Sequence, residues 1–316
     1  MVRAVDSERE VHGRPAAPPG GTRWRLALWR TARPRQWTKN VLVFAAPGAA
    51  GVLSHGHDVV RALATFGLFC LMASGTYFVN DTLDAASDRH HPTKRLRPVA
   101  AGELSVPRAL AAGVLSQMGA VALAYALAGW RLAVVFVVYT AISTTYSVRL
   151  KHVPVIELAC VSSGFVVRAI AGGIATGVPL SDWFLIVASF GSLLVVAGKR
   201  SAEHGDLGAD RAAHRTVLSA YPETFLRSVR LIAASVTLTA YCLWAFERAR
   251  QVGDVAHPHP LWFELSIVPV VLAVLHLELR FESGHGGAPE ELALSDRLLQ
   301  GLGLVWVVLF AVGVYA

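Results

Sequence analysis

The sequence predicts an all-α polytopic membrane protein, a single bundle of nine transmembrane helices. Three observations predict it. The 316 residues are 54% hydrophobic and only 16% charged, outside the range of ordinary soluble domains. Apolar stretches of spanning length recur at 24–52, 58–80, 106–127, 130–147, 153–175, 180–198, 222–246, 261–279 and 293–315. The 29 Lys and Arg divide unevenly between the two sides that these stretches define.

Residues 1–21 mix charge, Pro and Gly without the apolar run of a signal peptide, and read as a disordered arm on the aqueous side. Residues 22–316 form the single transmembrane domain. In its first stretch Trp24, Trp29 and Trp37 fit an interfacial belt. Arg33, Arg35, Lys39 and Asn40 lie unusually close to hydrocarbon. Arg35, Lys39 and Asn40 can share one helical face and point into a cavity; plain membrane anchoring is the other reading, most of all for Arg33. Later stretches carry small residues at close spacing, as in Ser162-Ser163-Gly164 and Ala171-Gly172-Gly173, which let membrane helices approach. Cys70, Cys160 and Cys242 stand alone in apolar segments and read as free thiols.

With the N-terminus cytoplasmic, the opposite side receives only Arg61, Arg131, Arg248 and Arg250, and Arg168 falls inside a helix. This is the positive-inside pattern. It makes the net charge of +7 a matter of cytoplasmic loops and anionic headgroups, with no nucleic acid implied. It predicts a multi-pass protein of the cell membrane with its N-terminus and polar rim on the cytoplasmic side.

The chain is organised around Asn80-Asp81-Thr82-Leu83-Asp84-Ala85-Ala86-Ser87-Asp88, which closes the second stretch. If the helix continues, Asp81, Asp84 and Asp88 share a face at i, i+3 and i+7, and Asn80 lies one turn before Asp84. Carboxylates at a membrane helix end repel one another unless a cation or polar cavity takes up the charge. Hard oxygen donors in this number suit Mg²⁺, which commonly shares its shell with substrate phosphates. Solvated acids at a helix end are the plain alternative.

Basic residues follow at once: Lys94, Arg95 and Arg97. Arginine forks pair with phosphate oxygens and lysine acts as a point charge. His90 and His91 read as exposed loop histidines. Tyr146 and Lys151 end the fourth stretch, as rim residues or as an interfacial Tyr and a snorkelling Lys. Arg168, inside apolar sequence, needs a polar cavity or a carboxylate. Glu157, eleven residues earlier on that helix, is one candidate partner, and substrate contact is the other reading. Lys199, Arg200 and Glu203 end the sixth stretch; Lys199 and Glu203 are spaced to pair at i, i+4. Four stretches thus deliver polar groups to one level, the rim of an active site.

The Asn-Asp-x-x-Asp-x-x-x-Asp motif closing the second of nine helices resembles the UbiA superfamily of intramembrane prenyltransferases. Further segments look like its actinobacterial decaprenyl-phosphate phosphoribosyltransferases. These are Arg-Pro-Arg-Gln-Trp-x-Lys-Asn at 33–40 and His-Pro-Thr-Lys-Arg-x-Arg-Pro at 91–98. Ser-Ser-Gly-Phe-x-x-Arg-Ala-Ile-Ala-Gly-Gly at 162–173, Gly-Lys-Arg at 198–200 and Leu-Trp-Ala-Phe-Glu-Arg at 243–248 complete the set. The resemblance runs from about residue 24 to the end of the sequence given. Ordinary members carry a second Asp-rich motif after the sixth helix. Here Lys199-Arg200-x-x-Glu203 stands there, which suits a donor with an additional phosphate.

The resemblance implies an Mg²⁺-dependent membrane transferase moving 5-phosphoribosyl from phosphoribosyl diphosphate to decaprenyl or another polyprenyl phosphate, for arabinan and cell-wall precursors. Asp81 and Asp84, with Asp88 or Glu203, are then expected to hold Mg²⁺. Asn80 orients a metal ligand or a ribose hydroxyl. Lys39, Asn40, Lys94, Arg95, Lys199 and Arg200 are expected on the phosphates, with Arg35, Arg97 and Arg168 also in the substrate-binding set. Tyr146 and Lys151 fall near the ribose or the acceptor phosphate. The partners implied are these two substrates and membrane lipid; homo-oligomer formation is left open. A prenyltransferase with a small acceptor is the alternative enzyme. A transporter of phosphorylated metabolites is the alternative from another class, although no internal repeat supports it.

Overall fold

A computed structural model describes residues 20–206, 216–253, 261–284 and 289–315. Residues 1–19 of the expected arm, and residues 207–215, lie outside the described residues. All the regular elements described are helical. Helix α1 (Gly20–Ala32) leads into a 3-10 stretch (Pro34–Phe44), a short α2 (Ala45–Ala49) and a 3-10 turn (Val52–Ser54). Then come α3 (Gly56–Leu83), α4 (Ala85–Asp88), a 3-10 turn (Lys94–Leu96), α5 (Val106–Val148) and another 3-10 turn (Leu150–His152). Next are α6 (Ile156–Thr176), α7 (Asp182–Asp206), a 3-10 turn (Thr216–Ala220) and α8 (Glu223–Gly253). The described chain closes with α9 (Leu261–Leu265), α10 (Ile267–Glu282), α11 (Pro289–Ser295) and α12 (Arg297–Tyr315).

Seven helical segments are long and apolar enough to cross a membrane among the described residues. One of them, α5, has 43 residues, or about 64 Å of helix against a hydrocarbon core of about 30 Å. It is two helices. Ala128 (φ −145°) and Gly129 (φ 74°, ψ −167°) leave the helical region between them, and the Gly129 backbone suits glycine alone. Both arms pack on α3. On the first arm Gln117 donates to Thr76 and Gly113 lies against Phe78 and Val79, so it runs opposite to α3. On the second, Thr140 meets Met72 and Ser147 meets Asn80, so it runs along α3. The expected helices at 106–127 and 130–147 are therefore a hairpin.

The expected helix over 24–52 is corrected: the chain breaks there. Arg33 (φ 52°, ψ 62°) separates α1 from the 3-10 stretch, because Pro34 denies its predecessor the right-handed helical region. The 3-10 stretch is pressed onto α6. A Cβ on Gly172 would stand 1.8 Å from the Val43 carbonyl oxygen, so only glycine permits the approach.

The first core joins Val43, Phe69, Met72, Ala120, Ala124, Leu132, Phe136, Tyr139, Val167 and Ala171. It fastens the 3-10 stretch, α3, both arms of α5 and α6 around the Phe69–Phe136 ring contact, 4.4 Å between centroids. A second core, with Leu158, Val196, Val217, Tyr221 and Leu226, ties α6 to α7 and α8. A third places Phe281 of α10 and Leu292 of α11 against Leu194 of α7. Many large apolar side chains face outward, such as Leu115, Leu123, Leu275, Leu304 and Val308. In a bilayer these meet lipid tails and need no protein partner.

Candidate active site

The Asp motif sits where α3 ends. Asp84 lies at the junction of α3 and α4 with near-helical backbone (φ −87°, ψ −4°). Its N–H donates to the Asn80 carbonyl and the Asp88 N–H donates to the Asp84 carbonyl, each at 2.9 Å, so the helical path carries through. The expected shared face is kept. Asp81 is 2% exposed and Asp88 is also buried.

Each carboxylate faces a cation. Arg33 Nη2 donates to Asp81 Oδ1 at 2.5 Å. Arg97 Nη1 reaches the same oxygen at 3.4 Å and Asp88 Oδ2 at 2.7 Å. Lys151 Nζ donates to Asp84 Oδ1 at 3.0 Å. Ser147 Oγ donates to Asn80 Oδ1 at 2.7 Å, binding the exit of the α5 hairpin to the motif. Among the described residues no three His, Cys, Asp or Glu side chains form a group that could hold a metal ion. Asp81, Asp84 and Asp88 remain hard oxygen donors on one face, the chemistry Mg²⁺ takes, and they are held by side chains able to turn onto phosphate. In this respect the residues fit Mg²⁺.

Across the rim, Glu157 in the first turn of α6 is fully buried. Arg200 of α7 donates to both its oxygens, Nε at 2.9 Å to Oε1 and Nη2 at 2.8 Å to Oε2. Arg200 Nη1 also donates to Glu203 at 2.7 Å, and Tyr146 lies close enough to Arg200 to act on it electrostatically. The Val155 N–H donates to the Tyr221 hydroxyl at 2.7 Å. Burial raises the Tyr221 hydroxyl above its ordinary pKa, so it stays protonated beside Glu157.

Arg168 lies in a different layer. Its Nε donates to Asn40 at 2.7 Å, Nη1 to the Gly164 carbonyl at 2.5 Å and Nη2 to Tyr139 at 3.0 Å. Asn40 donates in turn to Cys70 at 3.3 Å. Cys70 precedes Asp81 by eleven residues on α3, about 16 Å of helix. Glu157, the partner considered for Arg168 on their common helix, is taken by Arg200, because α7 brings a guanidinium directly over it.

The structure thus brings Asn80, Asp81, Asp84, Asp88, Arg97, Lys151 and Ser147 together. It sets Tyr146, Arg200 and Glu203 around Glu157, and Asn40 with Arg168 deeper. Lys39, Lys94 and Lys199 are half-buried, and Arg35 and Arg95 are exposed. His90 and His91 belong to the turn after α4: the His90 ring contacts the Ala86 carbonyl and the His91 ring accepts from the Thr93 and Lys94 N–H groups. From the sequence alone Arg33 reads chiefly as membrane anchoring and Glu157 as a candidate partner for Arg168, while Ser147, within the rim segment 146–151, takes no role of its own. Arg-Pro at 33–34 was the available signal for Arg33, since a residue before proline resists helix. An acid in the first turn of a buried helix was the signal for Glu157.

Residues 41–291 match the model of the UbiA prenyltransferase family. A curated decaprenyl-phosphate phosphoribosyltransferase of Corynebacterium glutamicum is 44% identical over 292 residues, covering 90% of this chain and 86% of that protein. The protein of the same name from Mycobacterium tuberculosis is 45% identical over 286 residues, covering 88% and 91%. Among solved structures, a UbiA homolog from Archaeoglobus fulgidus bound to GPP and Mg²⁺ superposes with a TM-score of 0.63 at 18% identity, covering 91% of this chain and 98% of that one. The family match over most of the sequence and the identity to these relatives lead to one conclusion: the chain belongs to the UbiA prenyltransferase family.

Proposed function

We propose that the chain transfers a 5-phosphoribosyl group from phosphoribosyl diphosphate to decaprenyl phosphate, or a similar polyprenyl phosphate, releasing diphosphate. The observation that carries this reading is the 44–45% identity, over about nine tenths of the chain, to proteins named decaprenyl-phosphate phosphoribosyltransferase. The rim supports it, because cations line both sides of the carboxylates.

In the reaction the ribose C1–O bond to diphosphate breaks and its electron pair leaves with diphosphate. An oxygen of the acceptor phosphate forms the new C1–O bond. The acceptor is already an anion, so no proton has to be removed and no general base is required. Asp81 and Asp84, with Asp88 or Glu203, would hold Mg²⁺, which when bound supplies charge neutralisation for the leaving diphosphate. Arg97, Lys94 and Arg95 serve the diphosphate; Lys199 serves the 5-phosphate. Arg200, fixed by Glu157, holds Glu203 in place. Tyr146 and Lys151 border the ribose and the acceptor phosphate, and Asn80, held by Ser147, orients a metal ligand or a ribose hydroxyl. Arg35 adds positive charge at the entrance. Asn40 and Arg168 anchor the segment that carries Lys39. Catalysis is then positioning plus electrostatic stabilisation of an oxocarbenium-like state.

The membrane frame extends the reading. Among the described residues the seven spanning segments become eight once α5 is divided, and on this reading the 34–54 stretch is taken as a ninth crossing. The N-terminus and the rim face the cytoplasm, where the Lys and Arg concentrate.

The test is label transfer on purified protein with decaprenyl phosphate and Mg²⁺. Label from the ribose of phosphoribosyl diphosphate enters the lipid, and EDTA prevents it. Label moving from a prenyl diphosphate onto a small acceptor, with no ribose transfer, would return the chain to the ordinary prenyltransferases.

A further inference from the structure

We infer that Arg33 is a residue of the donor site with two alternative partners: it closes Asp81 when the donor is absent and turns onto the donor's diphosphate when it is present. The inference rests on the function proposed above and concerns how metal and donor binding are coupled.

Three observations carry it. The first is backbone strain. Arg33 has φ 52° and, with Val155, is one of two non-glycine residues with positive φ among the described residues. A side chain resists that region, and a following proline restricts it further. Such strain persists where the surroundings impose it, and it clusters at functional sites. Here it aims the side chain back across the start of the 3-10 stretch at the Asp motif.

The second is the contact. Arg33 Nη2 lies 2.5 Å from Asp81 Oδ1, an oxygen that Arg97 also reaches at 3.4 Å. Arg97 already bridges Asp81 and Asp88. The guanidinium of Arg33 lies over the Tyr77 ring, 4.6 Å from its centroid, with 30% of the side chain exposed. A flat cation stacked on a ring can change hydrogen-bond partner while keeping its stacking contact.

The third is the charge tally. Asp81, Asp84 and Asp88 face Arg33, Arg97 and Lys151, three against three. These six side chains are therefore neutral as a set with nothing bound. A divalent cation alone would enter among three cations that already hold its ligands. A diphosphate alone would enter against three carboxylates. Entering together, they exchange partners: the carboxylates are released to the metal and the guanidinium groups to the phosphate oxygens. Arg33 moves with least loss, because Asp81 keeps Arg97.

The experiment measures Mn²⁺ binding, as the probe for the metal, by electron paramagnetic resonance. It uses the full chain in nanodiscs, with and without phosphoribosyl diphosphate. In the wild type the donor tightens Mn²⁺ binding about tenfold or more. In Arg33→Gln, Mn²⁺ alone binds about three- to tenfold more tightly, as removal of a neighbouring cation requires. Its tightening by donor falls to about threefold or less. Arg33→Lys keeps the charge without the fork and lies between, so it separates a lost latch from a lost fold. Weaker Mn²⁺ binding by Arg33→Gln without donor, or donor-dependent tightening equal to the wild type, overturns the inference. If geranyl diphosphate tightens Mn²⁺ in the wild type and phosphoribosyl diphosphate does not, the proposed function fails. The Arg33 comparison is then made with geranyl diphosphate, and the same two outcomes decide it.

Discussion

Asp81 receives two guanidinium groups on one oxygen. A buried charge so placed is stable only while its partners stay, and removing one partner of a buried pair costs about 3–5 kcal/mol. Asp81→Asn keeps the shape and removes the charge. Turnover is expected to vanish in Asp81→Asn and in Asp84→Asn while each still elutes as a single folded species in detergent; near-normal turnover in both would remove the metal assignment. Glu157 makes the opposite case. Its carboxylate is wholly buried and holds Arg200 through three hydrogen bonds. Glu157→Gln leaves Arg200 with a neutral partner and should cost about 3 kcal/mol, seen as a lower thermal midpoint. Turnover in that variant should fall with it, because the guanidinium that fixes Glu203 is then less firmly held itself.

At the scale of elements, the break at Arg33 matters more than any helix. A straight helix over 24–52 would point Arg33 according to its register. The observed break points it at Asp81, and close packing of Val43 on Gly172 keeps the 3-10 stretch in place. Gly172→Ala is therefore expected to displace that stretch. Donor affinity should weaken about tenfold and the thermal midpoint should fall, by the overpacking penalty of about 1–3 kcal/mol. Unchanged donor binding in Gly172→Ala would show that the stretch does not position the site. The α5 hairpin acts likewise, since its exit brings Ser147 and Lys151 to the motif.

For the whole molecule, the ends of α3, the second arm of α5 and α7 and the start of α6 meet at one level. On the topology proposed from the Lys and Arg count, that level lies on the more positive side, so one membrane face would hold both the site and its attraction for anionic substrates. Single cysteines at position 149 and position 131, in a chain with its three native cysteines replaced, should report the orientation. An impermeant thiol reagent applied to intact cells should label Arg131→Cys and spare Arg149→Cys until the membrane is opened. The reverse pattern would invert the topology.

The amino-acid sequence by itself determined the helical membrane class, the hairpin at 106–147, the acid motif and the family. These rest on composition, on apolar length and on local spacing, all of which are written along the chain. It also brought Asp81, Asp84, Lys151 and Arg200 into view as rim residues. Tertiary structure alone decided the partners: Arg200 for Glu157, Asn40 for Arg168, and Arg33 for Asp81, pairs 43, 128 and 48 residues apart. Charge in a low-dielectric interior must find a counter-charge or a dipole wherever the packing delivers one. Spacing along a helix proposes near partners, and the fold supplies distant ones.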